Sequence, residues 1–402
     1  MDKRFVYLDY NATTPLRGEV KARLVEGLEV FANASSMHEA GRRARDRVER
    51  ARASVAALIG ARDPLNVYFT SGGSESNNTV FQTMAELVRD PARSSRRKII
   101  TSAIEHPCVL NSAAHLRDLG FPVVFLGVDA EGRIDLEALK AELDPSGPGG
   151  PTLLVSIMAA NNEIGTLQDM KEITRLAKAA GALVHSDAVQ AAGKVAVDVE
   201  AWGLDYLTLS CHKLYGPKGI GALYVRKGAP IEPLIRGGHQ ELGVRAGTYN
   251  NLGIIGFGLA AELAQKELPE YQTRVGGLRE RLRAGIVAAV PQVHVNGHHD
   301  QVLPNTLNLS FPGAEGEAIL LSLDLEGIEV STGSACASGS LEPSHVLMAT
   351  GVGPELAHGS IRFSLGRDTS EADIDYVIQK LPPIITRLRR MSTLNPVAAA
   401  CV

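Results

Sequence analysis

The stretch that decides the fold lies at residues 209–221, which read LSCHKLYGPKGIG, and the apolar run ALYV follows it. An apolar segment ends at Ser210 there, and His212 and Lys213 come directly afterwards. A lysine in this setting is typical of an amine that forms an imine with a carbonyl compound, because such an amine is partly desolvated and held beside phosphate-binding hydroxyls. A lysine in such a pattern is more often an ordinary surface residue in a turn. The role of Lys213 therefore has to be inferred from the rest of the chain.

Short apolar runs alternate with helical spacing through most of the chain. The predicted strands lie at 67–70, 98–102, 123–126, 153–157, 183–187 and 204–209. The predicted helices of this region lie at 79–88, 107–119, 136–143 and 173–180. Strands that alternate with helices indicate an α/β fold with a large, doubly wound and mostly parallel sheet. Ligands of such sheets lie beyond the carboxyl ends of the strands.

Polar side chains follow the predicted strands at these carboxyl ends. They are Ser74, His106, Asn162, Asp187, Gln190, Ser210, His212 and Lys213. Ser74 lies in SGGSES, which favours a phosphate-binding helix start, although it also fits a plain helix cap. His106 is either a structural histidine or an aromatic plate over a planar cofactor. A carboxylate at Asp187 needs a cationic partner, such as a protonated heterocycle nitrogen. The clustering predicts one site.

A second, smaller α/β pattern occupies the C-terminal part of the chain. Helices are predicted at about 252–265 and 271–289, and further elements at 307–311, 316–325, 328–330, 361–365 and 373–389. A chain of 402 residues exceeds one ordinary domain. We therefore predict a large domain of residues 15–262 and a small domain of residues 1–14 and 263–402. In YLDYNATTP, at 7–15, we interpret Asn11 and Thr13 as turn or cap residues.

Residues 331–340 read STGSACASGS, in which every residue except Cys336 is Ser, Thr, Gly or Ala. Such a run cannot build a core, so it predicts a mobile loop. An exposed thiol on a mobile loop is the expected form of a thiolate that has to travel. The alternative is an incidental loop cysteine.

Composition excludes several classes of protein. A net charge of −4 gives no basic surface for nucleic acid, and no apolar run reaches the roughly 18 residues that span a bilayer. The first ten residues, MDKRFVYLDY, do not fit a signal peptide. The cysteines Cys108, Cys211, Cys336 and Cys401 are widely scattered and form no CxxC pair, so we expect neither a disulfide framework nor a structural zinc site. A reducing cytoplasm is the expected location.

Lys213 and Cys336 together carry a family resemblance. The chain resembles the cysteine desulfurases, pyridoxal 5′-phosphate (PLP) enzymes of fold type I in the class V aminotransferase group, over about residues 7–391. The motifs that carry it include YLDYNATTP, FTSGGSES, EHPCVL, NNEIGT, HSDAVQAAGK, SCHKLYGPKGIGALYVR, RAGT, STGSACASGSLEPSHVL and SIRFSLGR. The NifS branch is most similar, and the IscS branch is nearly as close.

The resemblance implies a role for each site residue. Lys213 would bind PLP covalently, His106 would stack on the ring and act as acid or base, and Asp187 would pair the ring nitrogen. The remaining cofactor-binding residues would be Gly73, Ser74, Asn162, Gln190, Ser210, His212 and, across a homodimer interface, Thr248. Arg362 would clamp the substrate carboxylate, with help from Asn33 and Asn162. Cys336 would accept the sulfur.

The implied reaction converts L-cysteine to L-alanine and leaves a persulfide on Cys336. The sulfur would pass to an iron-sulfur scaffold protein, and the resemblance to NifS favours nitrogenase maturation as its destination. No resident metal is expected, and Cys336 would contact a cluster only transiently. The alternatives are a selenocysteine lyase, another class V transaminase or lyase, and an inactive homologue that acts as a binding module.

The sequence departs from the family pattern at four positions. Ala34 stands where proline is usual, Ser74 where threonine is commoner, and Leu242 where arginine is usual. Cys211 replaces a small residue before the His-Lys pair, and we expect it to place a second thiol near the cofactor as a small filler.

Overall fold

The computed structural model describes residues 4–90, 92–332 and 342–392. Its strands are β1 (Val6–Tyr7), β2 (Val67–Thr70), β3 (Lys98–Ser102), β4 (Val123–Leu126), β5 (Thr152–Ser156), β6 (Leu183–Asp187), β7 (Tyr206–Ser210), β8 (Gly221–Val225), β9 (His294–Asn296), β10 (Thr306–Ser310), β11 (Ile328–Glu329), β12 (Ser331–Thr332) and β13 (Ser360–Ser364). Its α-helices are α1 (Gly18–Gly27), α2 (Glu39–Leu58), α3 (Gly73–Arg89), α4 (Pro107–Asp118), α5 (Leu136–Leu143), α6 (Met170–Ala179), α7 (Val199–Trp202), α8 (Asn251–Ala289), α9 (Gly316–Leu325), α10 (His345–Ala349), α11 (Pro354–His358) and α12 (Glu371–Met391).

The central sheet has seven strands in the order β2-β8-β7-β6-β5-β3-β4. Neighbouring strands from β7 to β4 run parallel, and only β8 runs antiparallel to its neighbours β7 and β2. Strands β3, β5, β7 and β8 are buried along their whole length, as expected for a sheet covered by helices on both faces. The predicted α/β class with a mostly parallel sheet is therefore confirmed.

Helix α3 begins six residues earlier than the sequence predicts, at Gly73 instead of position 79. Strand β2 ends at Thr70, and only Ser71 and Gly72 separate it from the helix. The interpretation of Ser74 as a plain helix cap is wrong, because Gly72 is the N-cap and Ser74 lies inside the first turn. The early start has a local cause, since the carboxylate of Glu75 accepts a hydrogen bond from the Ser71 backbone N–H, four residues earlier, and closes the turn.

The two helices predicted at 252–265 and 271–289 form one helix of 39 residues, α8, which continues through Pro269. A proline inside a helix removes one backbone hydrogen bond and normally breaks or kinks it. Here each half is held by its own apolar cluster. Ile254 and Phe257 belong to the cluster around the central sheet, and Leu278 and Leu282 belong to a second cluster. Packing at both ends offsets the local cost of the proline.

The second cluster surrounds a four-stranded sheet in the order β12-β13-β10-β9 and the short pair β1-β11. The division into residues 15–262 and residues 1–14 with 263–402 stays a prediction, because a further apolar cluster joins Ile104 and Met158 to Val346 and Leu347 across it. The proposed boundary lies inside α8, so this helix would connect the two parts without a linker. Within the described part of the chain, no helix has the length and apolar character needed to cross a membrane.

The predicted loop at 331–340 starts two residues too early. Ser331 and Thr332 form strand β12 and pair with Arg362 and Ile361 of β13. A short polar strand of this kind has no apolar periodicity, so only its partner strand identifies it. The rest of the predicted loop, including Cys336, lies outside the described residues.

Candidate active site

Lys213 lies on a single turn of 3₁₀ helix, residues Cys211–Lys213, which begins directly after β7. Its Nζ donates hydrogen bonds to the backbone carbonyl of Ala12, at 2.7 Å, and to the backbone carbonyl of Asn11. Thr14 also binds the turn, because its hydroxyl accepts a hydrogen bond of 2.8 Å from the Tyr215 backbone N–H. The N-terminal segment therefore folds over the lysine turn and holds the amine.

Asn11 is a buried hydrogen-bonding centre of the site, with 2 % of its surface exposed. Its side-chain nitrogen donates to the Asn162 carbonyl at 3.1 Å and to the Thr306 hydroxyl at 2.9 Å. Its side-chain oxygen accepts from Lys194 at 3.1 Å and from Asn305 at 2.9 Å. The interpretation of Asn11 as only a turn residue is incomplete, because all of these partners are distant from it in sequence.

A cavity of about 370 Å³ opens beside Lys213 at the carboxyl edge of the central sheet. It is lined by all eight residues that the sequence places at strand ends, namely Ser74, His106, Asn162, Asp187, Gln190, Ser210, His212 and Lys213, and also by Gly73 and Arg362. Parallel strands bring their carboxyl ends to one edge, which explains this convergence. Asn11 and Cys108 line the same cavity, although no sequence pattern points to them as site residues.

The N-terminus of α3 forms one wall of the cavity. A Cβ atom at Gly73 would lie only 2.9 Å from a methyl carbon of Val189 and 3.7 Å from the Cβ of Ser210, so the first turn of α3 packs too closely on these residues for a side chain at position 73. Free backbone N–H groups and the helix dipole favour an anion at this position. His212 lies near Ser210 in the chain and contacts the Thr13 hydroxyl at 3.1 Å. Burial lowers the pKa of His212 to about 4, so its ring is neutral at neutral pH.

Asp187 ends strand β6 and is held in a fixed orientation. One carboxylate oxygen accepts a hydrogen bond of 2.7 Å from the side-chain amide of Asn77, and the other accepts one of 3.0 Å from the Val189 backbone N–H. Each carboxylate oxygen has further acceptor capacity, and Asp187 lines the cavity. It can therefore pair with a cationic ring nitrogen.

His106 is the N-cap of α4, since its Nδ1 accepts a hydrogen bond of 3.2 Å from the Cys108 backbone N–H. Pro107 occupies the first helical position, as predicted. Burial lowers the pKa of His106, and the nearby Asp187 carboxylate opposes that shift. His106 therefore caps a helix and also lines the cavity.

Gln190 is fixed by two partners. Its amide nitrogen donates to the Asn11 carbonyl at 3.0 Å, and its amide oxygen accepts from Lys194 at 2.6 Å. Lys194 is 3 % exposed, and its burial lowers its pKa well below the usual value. Sequence reasoning missed Lys194, because a lysine four residues after a glutamine carries no signal of burial.

Arg362 reaches the cavity from β13 of the second sheet and is 2 % exposed. It donates to the Asp9 carboxylate at 2.7 Å and to the Asn162 carbonyl at 3.1 Å. Its Nε is buried and has no hydrogen-bond acceptor among the described residues. The guanidinium is thus positioned and retains N–H groups that can bind a substrate carboxylate.

Two predicted site residues do not line the cavity within the described part of this chain. Thr248 lies in the loop before α8. Asn33 is exposed, and its side-chain oxygen accepts a hydrogen bond of 2.9 Å from the Ser35 backbone N–H. A role for Thr248 across a homodimer interface remains a proposal. Cys336 lies outside the described residues.

The second thiol of the site is Cys108 and not Cys211. Cys211 is fully buried in the apolar cluster around the central sheet, and burial raises its pKa well above the usual value. Its packing is tight, because a Cβ at Gly216 would lie 2.0 Å from its sulfur. It does fill space, as expected, but its thiol does not line the cavity.

Two buried carboxyl groups adjoin residues that line the cavity, since Glu105 precedes His106 and Glu163 follows Asn162 in the chain. One oxygen of the fully buried Glu105 accepts from the Ser102 hydroxyl at 2.6 Å and from the Met158 backbone N–H at 2.8 Å, and burial raises the pKa of Glu105 to about 8. Glu163 accepts from the Ser344 hydroxyl at 2.5 Å, and burial raises its pKa to about 7. No group of three or more His, Cys, Asp or Glu side chains among the described residues could hold a metal ion.

Comparison with known proteins agrees with this geometry. The family described as aminotransferase class-V matches residues 6–377, and the chain belongs to the class-V aminotransferase family. A cysteine desulfurase IscS from Dictyoglomus turgidum is 49 % identical over 392 residues, which cover 97 % of each chain. The cysteine desulfurase NifS of Azotobacter vinelandii is 46 % identical over 388 residues, 96 % of this chain and 94 % of that protein.

A solved structure of a NifS-like protein superimposes with a TM-score of 0.87 at 39 % identity, covering 96 % of this chain and all of the other. The similarity therefore extends over both sheets and not only over the site.

Proposed function

We propose that this chain is a cysteine desulfurase that binds PLP in the cavity beside Lys213 and removes sulfur from L-cysteine. The observation that carries the proposal is the convergence of Lys213, Asp187, His106 and Arg362 on one cavity of about 370 Å³. The full-length similarity to proteins named cysteine desulfurase supports the same activity.

The donor set of the cavity fits PLP. Lys213 supplies the amine for covalent attachment, and Asp187 supplies an anion for the ring nitrogen. The N-terminus of α3, which begins at Gly73, and the hydroxyl of Ser210 suit the phosphate. His106 would stack on the ring. Gln190, Ser74, His212 and Asn162 complete the lining.

Arg362 would bind the carboxylate of L-cysteine, and its contacts with Asp9 and the Asn162 carbonyl hold the guanidinium in place. When bound, PLP takes up the electron pair that an amino acid releases at its α-carbon. The α-carbon of the amino acid releases this electron pair when its proton is removed. Lys213 is suited to move the α-proton, because its amine lies at the cavity and is oriented by the carbonyls of Asn11 and Ala12. Asp187 would stabilise the positive charge on the ring nitrogen throughout.

Cys336 would accept the sulfur. Its thiolate attacks the sulfur of L-cysteine, an S–S bond forms as the C–S bond breaks, and the electron pair of the broken bond stays with carbon. The products are L-alanine and a persulfide on Cys336, so the reaction balances without an external oxidant. The same proposal includes transfer of the sulfur to an iron-sulfur scaffold protein and its use in nitrogenase maturation. It also includes a homodimer, with Thr248 at the other subunit's phosphate site, and a cytoplasmic location.

Two alternatives remain distinct from this function. A selenocysteine lyase or another class V transaminase or lyase would use Lys213 and Asp187 but would not need the Cys336 thiol. An inactive binding module would need neither the desolvated Lys194 nor the oriented Asp187, both of which cost free energy when they are not used. The buried polar network around Asn11 and Gln190 therefore favours an active enzyme.

The decisive experiment compares the wild type with Cys336→Ala, and uses Cys211→Ala as the matched thiol control. We expect Cys336→Ala to lose formation of L-alanine from L-cysteine while it keeps the visible absorbance of the lysine-bound cofactor, and Cys211→Ala to keep both. Full alanine formation in Cys336→Ala would contradict thiol transfer. Loss of the absorbance in Lys213→Ala identifies the cofactor lysine, and its persistence there would contradict that assignment.

A further inference from the structure

Two residues outside the proposed chemistry, Asn77 and Cys108, connect Asp187 with His106. The side-chain nitrogen of Asn77 lies 2.7 Å from a carboxylate oxygen of Asp187 and 3.1 Å from the sulfur of Cys108. The same sulfur lies 2.9 Å from Nδ1 of His106. Four side chains from three different elements, β6, α3 and the start of α4, therefore form one hydrogen-bonded chain.

The direction of each hydrogen bond follows from the chemistry of the groups. An ionised carboxylate only accepts, so Asn77 must direct its NH₂ group, and not its carbonyl oxygen, towards Asp187. A side-chain amide nitrogen carries two hydrogens, and the second is available for the sulfur of Cys108. The carbonyl oxygen of Asn77 is buried without a partner among the described residues, which agrees with an orientation fixed from the nitrogen side.

The thiol of Cys108 is the donor in the next bond. Burial raises its pKa to about 12, so the sulfur keeps its hydrogen at neutral pH. Asn77 and the hydroxyl of Ser74 both act as donors to the sulfur, which leaves Nδ1 of His106 as the acceptor for the S–H hydrogen. The Cys108 backbone N–H donates to the same ring nitrogen at 3.2 Å. Because Nδ1 accepts hydrogen bonds from these two donors through its lone pair, it carries no proton.

We infer that Asn77 and Cys108 are positioning residues that fix neutral His106 in the tautomer with its hydrogen on Nε2. The hydrogen-bonded chain through these two residues makes the tautomer of His106 depend on Asp187. This inference rests on the proposed function, because Asp187 and His106 matter as the groups that face PLP. In this tautomer, neutral His106 donates a hydrogen bond through Nε2, and Nε2 does not act as a base. The thiolate form of Cys336 must then arise without His106 as the acceptor of its proton.

Nitrogen-15 NMR of histidine-labelled protein tests the tautomer directly. The spectrum is recorded on the full chain with PLP bound and again without it, and His106 is assigned by its loss in His106→Gln. We expect an unprotonated Nδ1 and a protonated Nε2 in the wild type. A wild-type ring with its hydrogen on Nδ1 would overturn the inference, and the variant His106→Gln serves only to assign the signal.

Variants then test the relay. We expect Cys108→Ala, which lacks the S–H donor but keeps the backbone N–H, to shift the His106 Nδ1 signal and weaken the preference for one tautomer. Cys108→Ser should keep the wild-type pattern, and the control Cys211→Ala should leave the His106 signals unchanged. Asn77→Ala should also shift the His106 signals through Cys108, and the double variant with Cys108→Ala should add little to the single one. Unchanged His106 signals in Cys108→Ala would refute the relay. Because this readout needs no turnover, it separates failure of the relay from failure of the desulfurase assignment.

Discussion

Ser331 of β12 and Arg362 of β13 are direct partners across an antiparallel strand pair. Arg362 lines the cavity, so the segment that continues from β12 towards Cys336 starts beside the proposed substrate carboxylate site. On the other side of Cys336, Ser344 is held by Glu163. Ser331 and Ser344 are thus each bound to a residue that lines the cavity or adjoins one that does.

Replacing Arg362 by lysine should weaken binding of L-cysteine. A lysine keeps the charge but cannot form the paired N–H contacts of a guanidinium, so we expect the KM for L-cysteine to rise about 10- to 100-fold, or about 1.4–3 kcal/mol. Steady-state kinetics of alanine formation measure the effect. Arg387→Lys, an exposed arginine on α12, is the matched control. An unchanged KM in Arg362→Lys would remove Arg362 from the substrate site.

Ser344→Ala should impair sulfur transfer more than substrate binding. Ser344 caps α10 through the Leu347 backbone N–H, at 3.2 Å, and donates to Glu163. We expect a loss of about 1–2 kcal/mol in unfolding free energy and slower persulfide formation on Cys336 in a single-turnover assay. Ser370→Ala removes a comparable cap from α12 and serves as the control. Equal persulfide rates in the two variants would contradict a role for the Ser344 anchor.

Glu105 should make the fold less stable as the pH rises. Its pKa is raised to about 8 by burial, so the folded chain holds a proton that the unfolded chain releases near the ordinary value of 4.5. The stability from this proton is fully present below about pH 4.5 and is lost as the pH approaches 8.

The corresponding experiment is urea unfolding of Glu105→Gln between about pH 5 and pH 8. An uncharged glutamine cannot release a proton, so the fall in unfolding free energy over this range should shrink, on the order of a few kcal/mol. Glu163, with a pKa raised to about 7, should contribute part of the remaining slope. The exposed Glu137→Gln on α5 is the control. Parallel pH profiles for wild type and Glu105→Gln would show that Glu105 is ionised in the folded chain.

Asn11→Ala should lower the free energy of unfolding more than a substitution in a turn usually does. The substitution removes acceptors for Lys194 and Asn305 and a donor to Thr306, and it leaves buried polar groups without partners. We expect a loss of about 2–4 kcal/mol in denaturant unfolding. Thr13→Ala, which removes one contact with His212, should lose less than half as much. A change below about 1 kcal/mol in Asn11→Ala would mean that the network does not hold the N-terminal segment.

The sequence by itself determined the sheet and most of the cavity. Alternating apolar runs and helical spacing define the parallel strands, and parallel strands place residues such as Asp187 and Lys213 at one edge whatever the details of packing. Gly73 was implied only by the family resemblance, because the pattern of a strand followed by small residues pointed to Ser74.

Only the tertiary structure decided the parts that depend on contacts distant in sequence. Asn11, Lys194, and the chain from Asp187 through Asn77 and Cys108 to His106 carry no periodic signal, because hydrogen bonds between separate elements follow the packing of those elements. Packing also made α8 continuous, since two apolar clusters hold its halves and outweigh the local effect of Pro269. Local pattern therefore specified where the site lies, and long-range packing specified how its side chains are oriented.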